Sequence, residues 1–387
     1  MPRVEFIQGN DLHLLRSGAE YFPALLQAIN EARNEIYLET YIFQPDETGF
    51  RIQQALIQAA QRGVSVRVVI DWLGSGREHA EQLCLILLRE GVACRLFNPW
   101  FRRGLARTHR KITVCDGQVA FVGGLNIIDD LISDDGSGIR LPFPRWDFAL
   151  RILGPLVPVI HSEVDAQWRK AGAMDLRSRF GLLRSLRQEA RLASQQTGLA
   201  ALLVRDNLRN RSSIQKAFLQ ALGRAKQRAV LVTPYFAPGR KFRRAMTMAA
   251  QRGVEVVLLV GVGQFRLQDA VTQAYYPRLL KRGVRIVEYH RTQLHAKVAI
   301  VDHDWASVGS SNFDGLSLFL NHESNIVVRD HRLTAEIDKE LRDGIAQGRE
   351  IRLADYDQIP WWRRVYNGFA YILYRALMRI ITLGYYG

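Results

Sequence analysis

Three cysteines, Cys84, Cys94 and Cys115, are all that 387 residues contain. They lack metal-ligand spacing, and their odd number argues against a disulfide framework. Buried or near-surface thiols in a reducing compartment are the expectation. Long hydrophobic runs are missing too. No uncharged stretch reaches the ~20 residues of a spanning helix, and the opening segment MPRVEFIQGNDLHLLRSG is too polar for a signal peptide. The chain is therefore expected to stay in the cytoplasm without threading a bilayer. Nucleotide loops are absent as well: GVGQFR at Gly261 lacks the full G-x-G-x-x-G spacing and reads as a turn at a strand end. Acidic residues are few beside basic ones, 38 against 53, which leaves a net charge of +15. That excess favours anionic partners, lipid headgroups or nucleic acid, without choosing between them. At 48% hydrophobic residues the chain has the material for a core, and its length allows two domains or a fused pair.

What is present is a repeat. THRKITVCDGQVAFVGGLNI begins at Thr108 and LHAKVAIVDHDWASVGSSNF at Leu294. Both read H-x-K, four residues, D, six residues, G, then G or S, one residue, and N. The flanking order matches as well. Phe22, Leu25, Leu26 and Ile29 form a helical stripe before a β-prone segment, Glu35 to Phe43. Ile214, Phe218 and Leu222 do the same before Ala229 to Tyr235. QRGVSVRVVI at Gln61 and QRGVEVVLLV at Gln251 each read as a helix end, a Gly stop and a buried strand. The expected fold is α/β: two duplicated α/β/α sandwich lobes, related by a pseudo-twofold axis, with one active site at their interface. The divisions expected are a first lobe over 1–167, a basic linker over 168–203, a second lobe over 204–355 and an aromatic, basic tail over 356–387. Seven Arg and Lys lie between Arg169 and Arg191 against Asp175 and Glu189. That linker reads equally as a solvated helix or as a surface facing lipid.

Residues two apart on a strand share a face, so His109 and Lys111 point together, as do His295 and Lys297. A hairpin turning at Asp116-Gly117 brings Asn126 to the same edge; the second copy brings Ser310 and Asn312. Pairing the halves collects two His, two Lys and two Asn in one pocket. This set suits a phosphodiester. Lysines and amides bind the non-bridging oxygens and offset charge on five-coordinate phosphorus. One imidazole attacks phosphorus; the other protonates the departing alkoxide and later deprotonates the incoming hydroxyl. No metal and no cofactor is required. Asp147 in RWDFALRILGP and Glu323 in NHESNIVVRD follow their skeletons and are candidates for orienting the imidazoles. Asp147 is expected on His109 and Glu323 on His295. Asp116 and Asp302 belong to the candidate set, with structural hydrogen bonding expected of them.

HRKITVCDGQVAFVGGLN and HAKVAIVDHDWASVGSSN resemble the paired HKD motifs of the phospholipase D superfamily over most of the chain. With YLETYIF and FDGLSLFLNHESNIVVRD, the resemblance is to its short, B-type bacterial cardiolipin synthases. It implies transfer of a phosphatidyl group through a covalent histidine intermediate, with both motif histidines used and acidic residues at Asp147 and Glu323 in support; it does not settle which histidine is the nucleophile, and analogy with relatives favours His109. The loop NPWFRRGLART before His109 is short beside theirs, which leaves headgroup choice open.

The tail WWRRVYNGFAYILYRALMRIITLGYYG decides between anionic partners. Arg364, Arg375 and Arg379 fall within about 60° on a helical wheel. Trp361, Trp362, Tyr366, Tyr371 and Tyr374 are interfacial residue types. This reads as a helix in the headgroup plane, and the rival reading is a helix docked on the protein's own core. The function expected is cardiolipin synthesis from two phosphatidylglycerol molecules. Phospholipid hydrolysis, nucleic-acid phosphodiester cleavage and a non-catalytic basic membrane-binding protein are the alternatives. The partners expected are phosphatidylglycerol and cardiolipin at the cytoplasmic face of a bacterial inner membrane, in peripheral contact, with no nucleic acid; the sequence identifies no protein partner.

Overall fold

The structure is a computed structural model that describes residues 5–172, 200–207 and 210–382. Its halves build the same sheet. In the first the strand order is Asp11–Arg16, Phe148–Leu153, Val119–Gly123, Ile112–Cys115, Glu35–Thr40, Ser65–Asp71, Ala93–Phe97. In the second it is Ala200–Arg205, Glu323–Val328, Trp305–Gly309, Val298–Val301, Arg228–Thr233, Glu255–Gly261, Arg285–Tyr289, with Arg349–Ile351 added at the edge. Strand for strand the orders coincide. Parallel pairing links Glu35–Thr40 to Ser65–Asp71 and Arg228–Thr233 to Glu255–Gly261. Each motif forms an antiparallel hairpin beside that parallel set.

Local sequence explains the elements. The stripe of Phe22, Leu25 and Ile29 is buried in the helix Ser17–Glu31, and Ile214, Phe218 and Leu222 in the helix Ser213–Arg224. The strand Glu35–Thr40 stops three residues short of the expected Phe43, and Arg228–Thr233 starts one residue before the expected Ala229 and stops two short of Tyr235. The helix Glu47–Gln61 starts where Asp46 accepts a hydrogen bond from Gly49 N at 2.8 Å. Past its end Gly63 takes φ 89°, and Gly253 takes φ 90° after the helix Arg240–Gln251. Both conformations favour glycine, which is why the two QRG stops work.

Three cores follow from this layering. An outer core lies under the helices of each lobe. A third runs between the lobes, joining Ile112, Val114, Val122 and Leu150 of the first sheet to Val298, Ile300, Val308 and Ile326 of the second. The helices Leu156–Ala171 and His331–Ala346 belong to that middle core. The lobes are thus fused through buried apolar surface, and whatever sits at the sheet ends is held in fixed register.

The expected divisions need adjusting. Trp168 to Ala171 complete the helix Leu156–Ala171, and Ala200 to Leu203 lie in an edge strand of the second sheet, so neither end of the expected linker is a linker. Residues 173–199, which carry most of its basic charge, lie outside the described residues. Cys84, Cys94 and Cys115 are free and buried.

Candidate active site

Each skeleton sits at the end of its hairpin, against the other lobe. His109 N donates to His322 O at 2.9 Å, and His295 N donates to Trp146 O at 2.9 Å. Thr108 bridges His322 and Leu294 bridges Trp146 in parallel register. Residues 322 and 146 immediately precede Glu323 and Asp147. The backbone of each motif is therefore stitched to the segment carrying the other lobe's carboxylate.

The consequence reverses one expectation. Asp147 Oδ2 lies 2.6 Å from Nδ1 of His295, and Glu323 Oε2 lies 3.1 Å from Nδ1 of His109. The carboxylates cross the interface instead of serving the histidine of their own half. Sequence spacing could not give this, because it depends on how the lobes dock. Ser310 joins the same crossing: its carbonyl accepts from His109 Nδ1 at 2.9 Å, and its Oγ donates to Glu323 Oε2 at 2.5 Å. The pseudo-equivalent Gly124 has no room for a side chain, since a Cβ there would collide with the Asp147 carboxylate. The GG and GS of the two motifs are thus fitted to different carboxylates.

These contacts fix tautomers. A backbone carbonyl only accepts, so Nδ1 of His109 carries the proton and Nε2 carries the lone pair. Asp147 imposes the same on His295. Beyond that the imidazoles differ. Nε2 of His295 faces Asp134 Oδ2 at 3.6 Å. Nε2 of His109 has no hydrogen-bond partner among the described residues, and its ring lies edge-on to Tyr41, centroids 4.9 Å apart.

Lys111 and Lys297 are buried, and each donates to the carbonyl of its own motif histidine, Lys111 at 2.7 Å. Burial pushes the Lys111 ammonium down to about 7, with Lys297 pushing the same way. Burial takes Lys297 down to about 8 against the pull of Asp147. Lysines from opposite lobes that repel each other this way share one pocket. Burial also lowers both histidines, His295 further because Lys297 adds to it, while Glu323 holds His109 up. Asp147 is raised to about 6 by burial. Glu323 is lowered: burial opposes ionisation, but His109, Lys111 and the Ser310 hydroxyl outweigh it. Loss of water is the largest influence throughout, as in a site waiting for an anion.

The other candidates separate. Asn126 Oδ1 accepts from Ile42 N at 3.3 Å, leaving its NH₂ to donate; Asn312 is as buried, and its Oδ1 has no hydrogen-bond partner among the described residues. Asp116 and Asp302 do not join the pocket. They lie past the far ends of the strands that follow the lysines, both with φ 52°. Asp116 accepts from the backbone N–H groups of Arg33, Asn34 and Glu35, and Asp302 from those of Lys226, Gln227 and Arg228. As catalytic candidates they are corrected to turn clamps, the structural role that their distance from the lysines anticipates. Among the described residues no cluster of His, Cys, Asp or Glu could hold a metal ion.

Sequence reasoning missed several neighbours. Asp134 and the buried Arg145 come from an irregular loop of the first half without a counterpart in the second. Behind the first motif, Thr108 donates to the buried Glu39, and Arg110, wholly buried, pairs with Glu163 at 2.8 Å. The alternation of Thr108 and Arg110 with His109 and Lys111 was the available signal. Equivalent positions of the second motif, Leu294 and Ala296, are apolar.

Comparison with known proteins agrees with this geometry. The family described as "Cardiolipin synthase, PLD-like domain" matches residues 25–133 and 218–344, one motif in each segment. Cardiolipin synthase B of Escherichia coli K12 is 34% identical over 388 residues, 97% of this chain and 90% of that protein. Cardiolipin synthase B of Salmonella typhi is 35% identical over 385 residues with the same coverage. Among solved structures, phosphatidylserine synthase of Haemophilus influenzae Rd KW20 shares the fold over 99% of this chain and 97% of its own, with TM-score 0.73 and 16% identity. Matched in both halves, with its two motifs crossed into one pocket, the chain belongs to the cardiolipin synthase, PLD-like domain family of the phospholipase D superfamily, and it is a phosphodiester-transforming enzyme of that type.

Proposed function

We propose that this enzyme transfers a phosphatidyl group from one phosphatidylglycerol to a hydroxyl of another, forming cardiolipin and releasing glycerol. In this reading Lys111, Lys297, Asn126 and Asn312 hold the non-bridging oxygens. His109 Nε2, with its proton fixed on Nδ1, attacks phosphorus as the P–O bond to glycerol breaks. His295, charged once the phosphodiester anion is bound, gives its proton to the leaving glycerol oxygen. In the second step His295 takes the proton of the incoming hydroxyl as that oxygen displaces His109. Glu323 and Asp147 stabilise the imidazolium on each side. Asp116 and Asp302 hold the turns.

The observation that carries lipid over nucleic acid is the helix Trp361–Ile381. One edge docks on the second lobe through Ala370 and Met378, and Tyr374 OH accepts from Gly315 N at 3.0 Å. Tyr371 and Tyr374, expected at the lipid interface, turn inward instead; Tyr371 packs on Tyr275. The opposite face leaves Trp361, Trp362, Val365, Phe369, Ile372, Leu373, Leu377 and Ile380 exposed at helical spacing. Such a stripe, beside Arg363, Arg364 and Arg379, suits the surface of an anionic bilayer, where the enzyme meets lipids that cannot leave it cheaply. No described helix is long and apolar enough to cross a membrane. Peripheral attachment to the cytoplasmic face of a bacterial inner membrane is part of the same proposal.

Vesicles of pure phosphatidylglycerol test it. Cardiolipin and free glycerol in equal amounts are expected. Phosphatidic acid as the sole lipid product makes the enzyme a hydrolase, and cleavage of DNA without any lipid product makes it a nuclease.

A further inference from the structure

The crossed carboxylates and lysines account for phosphorus. They leave unexplained a third acid in the pocket, Asp134, whose side chain is only 5% exposed. It comes from the first lobe but reaches the second: its backbone N donates to Gln293 Oε1 at 3.4 Å, and Gln264 Nε2 donates to its Oδ1. Tyr235 OH donates in turn to Gln264 Oε1 at 2.9 Å. Tyr235, Gln264 and Asp134 therefore form a polar row that ends 3.6 Å from His295 Nε2. Oδ2 of Asp134 is the atom at that end, and it makes no hydrogen bond among the described residues. Its neighbours there, His295 Nε2 at 3.6 Å and Arg145 Nε at 3.8 Å, stay beyond hydrogen-bond distance, so a ligand hydroxyl that donates to it adds a charge-assisted hydrogen bond.

The alcohol that leaves phosphorus must place its oxygen next to the imidazole that protonates it. On the reading given above that imidazole is His295, so the rest of the alcohol lies against this row. Its charges indicate which alcohol fits. Arg145, 4% exposed, sets Nε 3.8 Å from Asp134 Oδ2 and is fixed there by Gln293 at 2.8 Å. Lys111 and Lys297 both feel Asp134. An ammonium headgroup would meet Asp134 but also two ammonium groups and a guanidinium. A carboxylate headgroup would meet those cations but also Asp134. A neutral polyol meets no like charge, and its hydroxyls donate to Asp134 Oδ2 and exchange hydrogen bonds with Gln264 and Tyr235.

We propose that Asp134, Gln264 and Tyr235 form a headgroup subsite that selects a neutral polyol, the glycerol of phosphatidylglycerol, as the leaving alcohol. Asp134 is the specificity-determining residue. The proposal rests on the assignment of His295 as the acid, but it does not depend on which acceptor completes the reaction.

The test compares headgroup release from three vesicle preparations: phosphatidylglycerol, phosphatidyl-n-propanol and phosphatidylethanolamine. Propanol lacks the two hydroxyls yet makes a similar demand on the acid. The wild-type kcat/KM for glycerol release should exceed that for propanol by about tenfold or more, the effect of one hydrogen bond to a charged partner. Asp134→Ala should bring the two within about threefold of each other. A ratio is unaffected by the fraction of variant that folds. An unchanged ratio with lower turnover would make Asp134 a support for His295 or for the loop and would overturn the subsite. Faster release of propanol or ethanolamine than glycerol by the wild type would overturn it too. Glycerol release that yields phosphatidic acid in place of cardiolipin would remove the transferase reading and leave the subsite standing.

Discussion

Asp147 Oδ2 lies 2.6 Å from Nδ1 of His295, a residue of the opposite lobe. Glu323 returns the contact by reaching His109 at 3.1 Å. Neither lobe holds a complete acid–base pair, so the site exists only while the interface does. Asp147→Asn should lower kcat by about 10²–10⁴-fold, as expected when an imidazole loses the carboxylate that fixes its tautomer. The crossing itself is read by ¹⁵N NMR of the imidazoles. Asp147→Asn should move the Nδ1 signal of His295 and spare that of His109; Glu323→Gln should do the reverse. Perturbation of the same-lobe histidine in both variants would contradict the pairing.

The lysines make anion binding a proton-uptake reaction. Burial holds Lys111 down to about 7 and Lys297 to about 8. An anion favours the charged form and raises both values. Above about pH 7 binding must therefore draw protons from solution, and affinity must weaken as pH rises further. Sulfate, whose charge is constant in this range, is a clean probe. Calorimetry at pH 8.5 in buffers of different ionisation heat should show net uptake, reduced in Lys297→Met. Release, or no exchange, would mean that the lysines are already charged.

The repeat made the fold readable. Helical stripes, Gly stops and the two H-x-K skeletons lie in the same order in both halves, and a duplicated α/β unit must bury its motif edge somewhere. What the repeat could not show was anything that differs between the halves or depends on docking. The partner of each carboxylate is set by parallel bridges at Thr108 and Trp146, which join segments far apart in sequence. Asp134 lies in the twenty residues between Asn126 and Asp147, where the second half has only ten between Asn312 and Glu323. An insertion of irregular polar sequence has no period and no copy to compare it with. Gln264 was hidden likewise in GVGQFR, correctly read as a strand-end turn but not as a wall of the pocket.

Asp116 and Asp302 offer a separation of stability from chemistry. Each gathers three backbone N–H groups, tying its hairpin turn to the start of a central strand. Asp116→Asn should cost about 1–2 kcal/mol of stability, visible as a lower Tm, with kcat/KM intact well below the melting point. The pH dependence has a definite sign. The three amides hold Asp116 below the usual Asp value despite partial burial. Its contribution is complete above that usual value and fades as pH falls through the lower folded one, so wild type and variant should converge in acid. A large loss of turnover in a variant still folded would return Asp116 to the catalytic set.

Membrane attachment is best tested on the exposed face of the last helix, because removing the helix would also strip Ala370, with Tyr371 and Tyr374 beside it, from the second core. Phe369 and Ile372 are 65% and 66% exposed and adjoin on that face. Burying such a side chain in the bilayer interface contributes up to about 1.5–3 kcal/mol. Phe369→Glu and Ile372→Glu should each weaken sedimentation with phosphatidylglycerol vesicles by about tenfold or more, without lowering Tm, since neither side chain belongs to a core. Ala370→Glu, one residue away but buried, should instead destabilise the fold. High salt should weaken wild-type binding only in part, because the arginines are screened while the apolar stripe is not. Full vesicle binding by the Phe369→Glu, Ile372→Glu double variant would show that this helix does not touch the membrane, and the basic stretch between the lobes would be the next candidate.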